Sequence, residues 1–137
     1  MKSENIVRLR ITSLSRTPEQ VTEATGIPCD SSWRIGDKRA KTVIEEKKNG
    51  WVLNSALPRS ESLETHVERL LERLAPHLDK IRRFSQEDSV ELSCVVYAAE
   101  PPALNFSRSV IDRLSRLGAS LDIDLYLMDD DQDKQRD

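Results

Sequence analysis

The stretch IVRLRITSL, at residues 6–14, decides the fold because apolar and polar residues alternate along it. Val7, Leu9 and Ile11 point to one side of an extended chain, and arginine and threonine side chains point to the other. This period of two predicts a strand with one face on a hydrophobic core. The stretch VELSCVVYA, at 90–98, repeats the pattern. The sequence therefore predicts a sheet that is covered on one face.

The segment TPEQVTEATG, at residues 17–26, carries the signals of a short helix after the first strand. Thr17 suits the N-cap, Gln20 completes a capping box, and Gly26 suits the left-handed C′ position. Residues 27–38 are interpreted as a loop. The first strand is therefore expected to continue into a short helix and then a loop.

A β-hairpin is predicted over the next part of the chain. AKTVIEE at 40–46 is its first strand, KKNG is its turn, and WVLNSAL at 51–57 is its second strand. Asn49-Gly50 between two strand-like runs is a strong turn signal.

A long amphipathic helix is predicted downstream, over RSESLETHVERLLERLAPHLDKIRRF at residues 59–84. Its apolar residues recur at helical spacing and form one stripe: Leu63, Val67, Leu70, Leu71, Leu74, Leu78 and Ile81. Pro76 lacks an N–H, so the helix is expected to kink or restart there. His66 and His77 are roughly 16 Å apart at about 1.5 Å per residue, too far to share one metal ion, and are interpreted as exposed or flanking residues.

A last helix and a last strand follow the 90–98 strand. Ser107 suits an N-cap, and Gly118 suits a C-terminal cap. The helix is expected to turn Val110, Ile111, Leu114 and Leu117 inward, and the strand Leu121, Ile123, Leu125 and Leu127.

The predicted fold class is α+β. We expect a ferredoxin-like split βαβ core (β-α-β-β-α-β) with an added α-β unit, and a mainly antiparallel sheet with helices on one face. The position of the last strand in the sheet is left open. Residues 1–128 are predicted to form one domain, and residues 129–137 an acidic, disordered tail.

Composition limits the class of protein. Of the 137 residues, 37% are hydrophobic and 33% are charged. There is no signal sequence and no apolar run long enough for a membrane helix, which predicts a cytoplasmic protein with no membrane partner. The net charge of −3 lies in the tail, so the body is neutral. A neutral body argues against general nucleic-acid binding.

Asp122 and Asp124 are the first candidate site, because residues two apart on a strand share a face. They are either an acid–base or metal-binding pair, or the wet side of a sheet facing Arg8 and Arg10 across strands. Two carboxylates are too few to hold a hard cation alone. The cross-strand interpretation is favoured, and no metal or cofactor is predicted.

The loop WRIGDKRAK, at residues 33–41, is the second candidate site. Trp33 lies beside basic residues, and Gly36 permits an unusual backbone angle. With Arg34 and Asp37, the loop would grip a small anionic ligand or a nucleic acid on an aromatic platform. The favoured interpretation is that Trp33 packs against the edge of the core.

Five stretches occur together in a fixed order: WRIGD at 33–37, GWVLNS at 50–55, SLETHVERLLERLAP at 62–76, VELSCVVY at 90–97 and LGASLDIDLY at 117–126. With these stretches the chain resembles the bacterial proteins grouped as Domain of Unknown Function 4279. The resemblance implies a small bacterial cytoplasmic domain and brings no catalytic residues with it.

The sheet face away from the helices is the third candidate site. It is expected to carry Tyr97, Tyr126 and, if it points that way, Trp51. Aromatic and apolar side chains framed by charge are typical of a protein contact. The leading hypothesis is a non-enzymatic protein-binding module that self-associates as a homodimer or acts as an immunity-type inhibitor of a toxin. The alternatives are a small-ligand or nucleic-acid binder at Trp33, or an enzyme or metal binder at Asp122 and Asp124.

Overall fold

The computed structural model describes residues 3–128, and the predicted tail at 129–137 lies outside them. The described chain forms one five-stranded sheet with four α-helices. The elements are β1 (Glu4–Ser13), α1 (Pro18–Thr25), β2 (Ser31–Trp33), β3 (Asn49–Asn54), α2 (Leu63–Leu74), α3 (Leu78–Arg82), β4 (Ser89–Ala98), α4 (Arg108–Leu117) and β5 (Ser120–Leu127).

The sheet has the spatial order β2-β3-β1-β4-β5. The first three neighbouring pairs are antiparallel, and β5 runs parallel to β4. The α+β class and the mainly antiparallel sheet are thus confirmed. The fifth strand lies at the edge, because α4 returns the chain over the sheet to the outer side of β4. This five-strand order differs from that of a four-stranded split βαβ sheet.

The core lies between the sheet and the helices, as the alternation predicts. Val7, Leu9 and Ile11 of β1 are at most 1% exposed, as are Leu92 and Cys94 of β4. The apolar stripe of α2 packs onto them in the same hydrophobic cluster. Burying one large aliphatic side chain contributes about 1.5–3 kcal/mol, so this shared face largely fixes which side of the sheet the helices cover.

The predicted helix signals are confirmed. The Thr17 hydroxyl accepts the Gln20 N–H, the Gln20 side chain accepts the Thr17 N–H, and Gly26 adopts φ +78° at the end of α1. The Pro76 break is also confirmed: α2 ends at Leu74, a 3₁₀ turn spans Ala75–His77, and α3 begins at Leu78.

The predicted hairpin over residues 40–57 is wrong. Residues 40–46 form no strand, and Asn49 and Gly50 begin β3 instead of making a turn. On the side away from β1, β3 pairs with β2, which lies inside the predicted 27–38 loop. Val43 is 87% exposed. A strand at 40–46 would have no core to bury its apolar residues against, and a strand without such a buried face is weakly specified.

The inward residues of the last helix and strand are only partly as expected. Val110, Leu114 and Leu117 are buried, but Ile111 is 58% exposed. The alternate residues of β5 pair with core residues of β4 and so point to the helix side, as predicted. Leu125 is nevertheless 42% exposed and Leu127 56%. Ile123 packs against the core, but the helices leave most of the edge strand uncovered.

Candidate functional site

The sheet surface opposite the helices is here called the open face. Register places its residues in rows across the strands. One row runs Ser31, Val52, Arg10, Glu91 and Ser120; the next runs Asn54, Arg8, Ser93 and Asp122. Further along, Ile6, Val95 and Asp124 form a row, followed by Glu4, Tyr97 and Tyr126. The open face is therefore basic near its centre, acidic at β5 and aromatic at one end.

Trp33 joins this surface at its opposite corner, because it pairs with Gly50 at the end of β2. Its ring lies directly on Gly50: a Cβ built there would come within 2.1 Å of two ring atoms. The Arg10 guanidinium lies over the same ring, 5.3 Å from its centroid. Glycine is required at residue 50 because only its bare backbone leaves room for the indole.

Arg10 connects the two halves of the open face. Besides contacting Trp33, its guanidinium forms an ion pair with Glu91 on β4 at 3.5 Å. A guanidinium held by an aromatic ring on one side and a carboxylate on another has little freedom. By contrast, Arg8 forms no ion pair within residues 3–128 and is exposed. Arg8 therefore presents a guanidinium that an incoming group can reach.

A groove of about 800 Å³ lies on the open face between these groups. Its floor is the sheet, with Val52 buried below and Val95 half-buried. Its wall is the 34–48 loop, from which Arg39 reaches in with its Nε atom 3.0 Å from Glu46. The lining residues are Arg8, Arg10, Ser31, Trp33, Arg39, Glu46, Val52, Asn54, Ser93, Val95 and Asp124.

Arg34, Gly36 and Asp37 of the predicted Trp33 loop do not line the groove. Arg34 forms an ion pair with Glu19 of α1, and its N–H donates to the Asp37 carboxylate at 2.8 Å. Gly36, at φ +91°, makes the turn between them. Arg34, Gly36 and Asp37 thus form a turn, and of the four residues named for the predicted grip Trp33 lines the groove.

Tyr97 of β4 and Tyr126 of β5 lie side by side on the open face. The sequence pattern of each strand does not show this contact, because it does not show that the two strands are neighbours. Their rings stack with centroids 5.2 Å apart and planes 18° apart. Tyr126 is 50% exposed. Aromatic pairs of this kind contribute about 0.5–1.5 kcal/mol beyond their buried area, so the stack is a rigid, partly exposed aromatic platform.

The predicted place of Trp51 on the open face is wrong. Trp51 is fully buried on the helix side, and its Nε1–H donates to Thr22 of α1 at 3.1 Å. Its register partner is Ile11, a core residue. β3 begins two residues before the predicted strand, which leaves the alternation unchanged, but the sequence did not say which side of β3 the core lies on.

Asp122 and Asp124 share the open face, as predicted, but do not face the arginines. They pair with Ser93 and Val95 of β4, which separates them from β1. Strands are about 4.8 Å apart, so Arg8 and Asp122 lie roughly 10 Å apart across that row. The cross-strand pair on this face joins Arg10 to Glu91 instead. Residues 3–128 hold no group of three or more His, Cys, Asp or Glu that would hold a metal ion.

The sequence interpretation of His66 is wrong, and a buried polar pair was missed with it. His66 is 1% exposed, and its Nδ1 lies 2.7 Å from the hydroxyl of Ser55, itself 4% exposed. Burial lowers the pKa of His66. The pair lines a small cavity of about 170 Å³ beside Asn5 and Arg8. The signal that was available is its helical spacing, three residues after Leu63 and four before Leu70 of the stripe.

Comparison with known proteins yields a family but no described relative. No curated protein and no solved structure gives a significant match. No helix within residues 3–128 has the length and apolarity needed to cross a bilayer. The model of one family, described as Domain of unknown function (DUF4279), matches residues 3–128. The chain therefore belongs to the DUF4279 family.

Proposed function

We propose that this chain is a non-enzymatic protein-binding module whose contact surface is the open face. The observation that carries the proposal is the composition of that face: Trp33 and Arg8 line a shallow groove, and the Tyr97–Tyr126 stack lies on the same face beyond it. Tryptophan, tyrosine and arginine are the residues that most often dominate binding energy at protein interfaces. Arg10 is already held in place, so little side-chain entropy is lost when a partner docks.

The partner is a bacterial cytoplasmic protein or a second copy of the chain. An immunity-type inhibitor would use the face to bind a toxin. The mixed charge supports a partner with both signs, because Arg8 lies at the centre of the face and Asp122 and Asp124 at its β5 side. Such charge complementarity contributes mainly to specificity and to the rate of association.

We also infer that the first four strands and their helices are a ferredoxin-like split βαβ core. The antiparallel spatial order β2-β3-β1-β4 supports this inference. The α4–β5 unit is then an addition to the core. It widens the open face by one strand and supplies Tyr126 and both aspartates to it.

A small-ligand site in the groove is the second candidate. Its support is the groove itself, with three arginines in its lining that favour an anion. Nucleic acid is less well supported. A base would have to displace Arg10 to stack on Trp33, since ring and guanidinium are already in contact. The alternative of an enzyme or metal binder centred on Asp122 and Asp124 stays a prediction.

The test uses one charge reversal on the open face and a matched one on the helix layer. Arg8→Glu changes an exposed arginine of β1, and Arg108→Glu changes an exposed arginine of α4. Wild type and both variants serve as bait in host-cell extract. Any protein captured is then produced recombinantly, and its affinity for all three is measured by calorimetry.

The expected result is one partner that binds wild type and Arg108→Glu equally and Arg8→Glu at least about tenfold more weakly. Self-association that depends on Arg8, measured by light scattering, supports the proposal equally. Binding of every partner that is insensitive to Arg8→Glu would refute it. Saturable binding of polyphosphate, lost in Arg8→Glu, without any protein partner would favour the small-ligand candidate instead.

A further inference from the structure

The outer edge of β5 differs from the other edge of the sheet. At the β2 edge, the strand has three residues and the 34–48 loop follows directly beside it. At the β5 edge, eight residues run as a regular strand, and nothing within residues 3–128 pairs with their outer side. An edge strand of this length presents a row of free backbone N–H and C=O groups. This edge is a template for one more strand.

The helix-side surface of β5 is apolar and uncovered. Leu121 and Leu125 are each 42% exposed, and Leu127 is 56% exposed, although all three point to the side of the sheet that the helices cover elsewhere. Ile111 on the neighbouring helix α4 is 58% exposed. Several large apolar side chains exposed along one eight-residue strand mark an interaction surface.

We propose that this edge binds a second copy of the chain, with β5 of one protomer pairing antiparallel to β5 of its partner to form a continuous ten-stranded sheet. A two-fold axis perpendicular to the sheet makes the two strands antiparallel and keeps both helix layers on one side. The apolar stripes of the two strands then meet each other. The interface lies on the outer edge and helix side of β5, shares only the β5 residues Asp124 and Tyr126 with the open face, and does not depend on the proposed function.

Charge selects the register of this pairing. An axis through Ile123 would place Asp122 of each chain opposite Asp124 of the partner, and an axis through Asp124 would place that residue opposite itself. Like charges directly opposite each other destabilise a strand pair. Two of the registers available to β5 are therefore disfavoured.

An axis through Leu125 removes this conflict. Asp124 then lies opposite the partner's Tyr126, and Leu125 lies opposite its own copy. On the helix side, Ile123 of each chain meets Leu127 of the other, which joins the exposed side chains of both stripes. This register buries apolar groups together and separates the carboxylates, so the edge is complementary to itself.

The area is sufficient for a weak dimer. The exposed fractions of Leu121, Leu125, Leu127, Tyr126 and Ile111 correspond to roughly 400–600 Å² per chain, compared with roughly 800 Å² per partner in a standard interface. Interfaces at the low end of this range are transient. We therefore expect a dimer that forms in the micromolar range.

The test places charged side chains at the two-fold axis, so that like charges break the dimer and opposite charges restore it. Leu125→Lys places two lysines opposite each other, and Leu125→Glu places two glutamates there. Sedimentation velocity between about 5 and 500 µM covers the affinities of small interfaces. Wild type should shift to the dimer over this range. Each variant alone should stay monomeric, and an equimolar mixture of the two should recover the dimer.

Val43→Lys is the matched control, because Val43 is 87% exposed in the loop beside β2, at the other end of the sheet. Val43→Lys should dimerise like wild type. The melting temperature of each variant, measured at low protein concentration, shows whether that variant folds. Wild type that stays monomeric up to the highest concentration would overturn the proposal. A dimer that survives Leu125→Lys would also overturn it, and its loss in Arg8→Glu would assign the contact to the open face.

Discussion

Gly50→Ala tests the contact that orders one corner of the open face. The three nearest atoms to a Cβ at residue 50 all belong to the Trp33 indole, at 2.1, 2.1 and 2.5 Å. These distances are far inside van der Waals contact, so the ring has to leave its position over Gly50 and beneath Arg10. Overpacking of this kind costs about 1–3 kcal/mol. The φ of Gly50 is not in the left-handed region, so the backbone adds no strain.

The same substitution has the opposite sign when the ring is absent. Replacing glycine by alanine in a strand reduces the entropy of the unfolded chain and stabilises by about 0.4–1 kcal/mol when nothing clashes. In a Trp33→Ala background, Gly50→Ala is therefore expected to raise the free energy of unfolding. In the natural sequence it is expected to lower that free energy.

Urea unfolding of the four proteins, wild type, two single variants and the double variant, measures this coupling. Circular dichroism is the readout, because Trp33→Ala removes one of the two fluorophores. An equal effect of Gly50→Ala in both backgrounds would refute the claim that Trp33 lies on Gly50. A loss in both backgrounds would place the clash on other atoms.

Two further predictions concern buried groups. Burial lowers the pKa of His66, so the unfolded chain takes up a proton at higher pH than the folded protein, and the free energy of unfolding should fall as the pH drops below the ordinary histidine value of about 6.5. Denaturant titrations from pH 8 to pH 5 should show that this free energy depends less on pH in His66→Gln than in His77→Gln. An equal pH dependence in the two variants would contradict a buried neutral His66. Burial raises the pKa of Cys94 to about 12, so only the partly exposed Cys29 should react with a thiol reagent in the folded protein at pH 8. Mass spectrometry should therefore find no label on folded Cys29→Ser. Rapid labelling of Cys94 in that variant would contradict the prediction and show that its strand opens.

The strands that carry the core were readable because period-two alternation coincides with burial in them. Val7, Leu9 and Ile11 satisfy both conditions. The caps at Thr17 and Gly26 could be predicted for a different reason, because their signals are local. The 31–33 strand was missed because three residues carry no period and their partner, β3, is far along the chain. A turn signal at Asn49-Gly50 was overridden by the same long-range pairing.

The candidate site was predictable only in part for the same reason. Alternation placed Tyr97, Tyr126 and the two aspartates on one face, but which strands lie side by side is a property of the whole sheet. β4 between β1 and β5 separates the aspartates from the arginines. The Trp33–Gly50 contact joins residues of different strands, and neither a tryptophan nor a glycine in the sequence predicts such a contact.

The central place of β1 has a consequence for how the protein folds during synthesis. β1 comes before both of its sheet neighbours in the chain, and pairs with β3 on one side and β4 on the other, with Arg8 between Asn54 and Ser93. β3 and β4 have not yet been translated when β1 leaves the ribosome. The apolar residues of β1 therefore stay exposed to solvent until β4 has been synthesised. Folds dominated by such distant pairings form slowly, and their unpaired strands are exposed to aggregation meanwhile. The arginines that alternate with those apolar residues keep the unpaired β1 strand positively charged, which opposes its association with other chains before its partners are made.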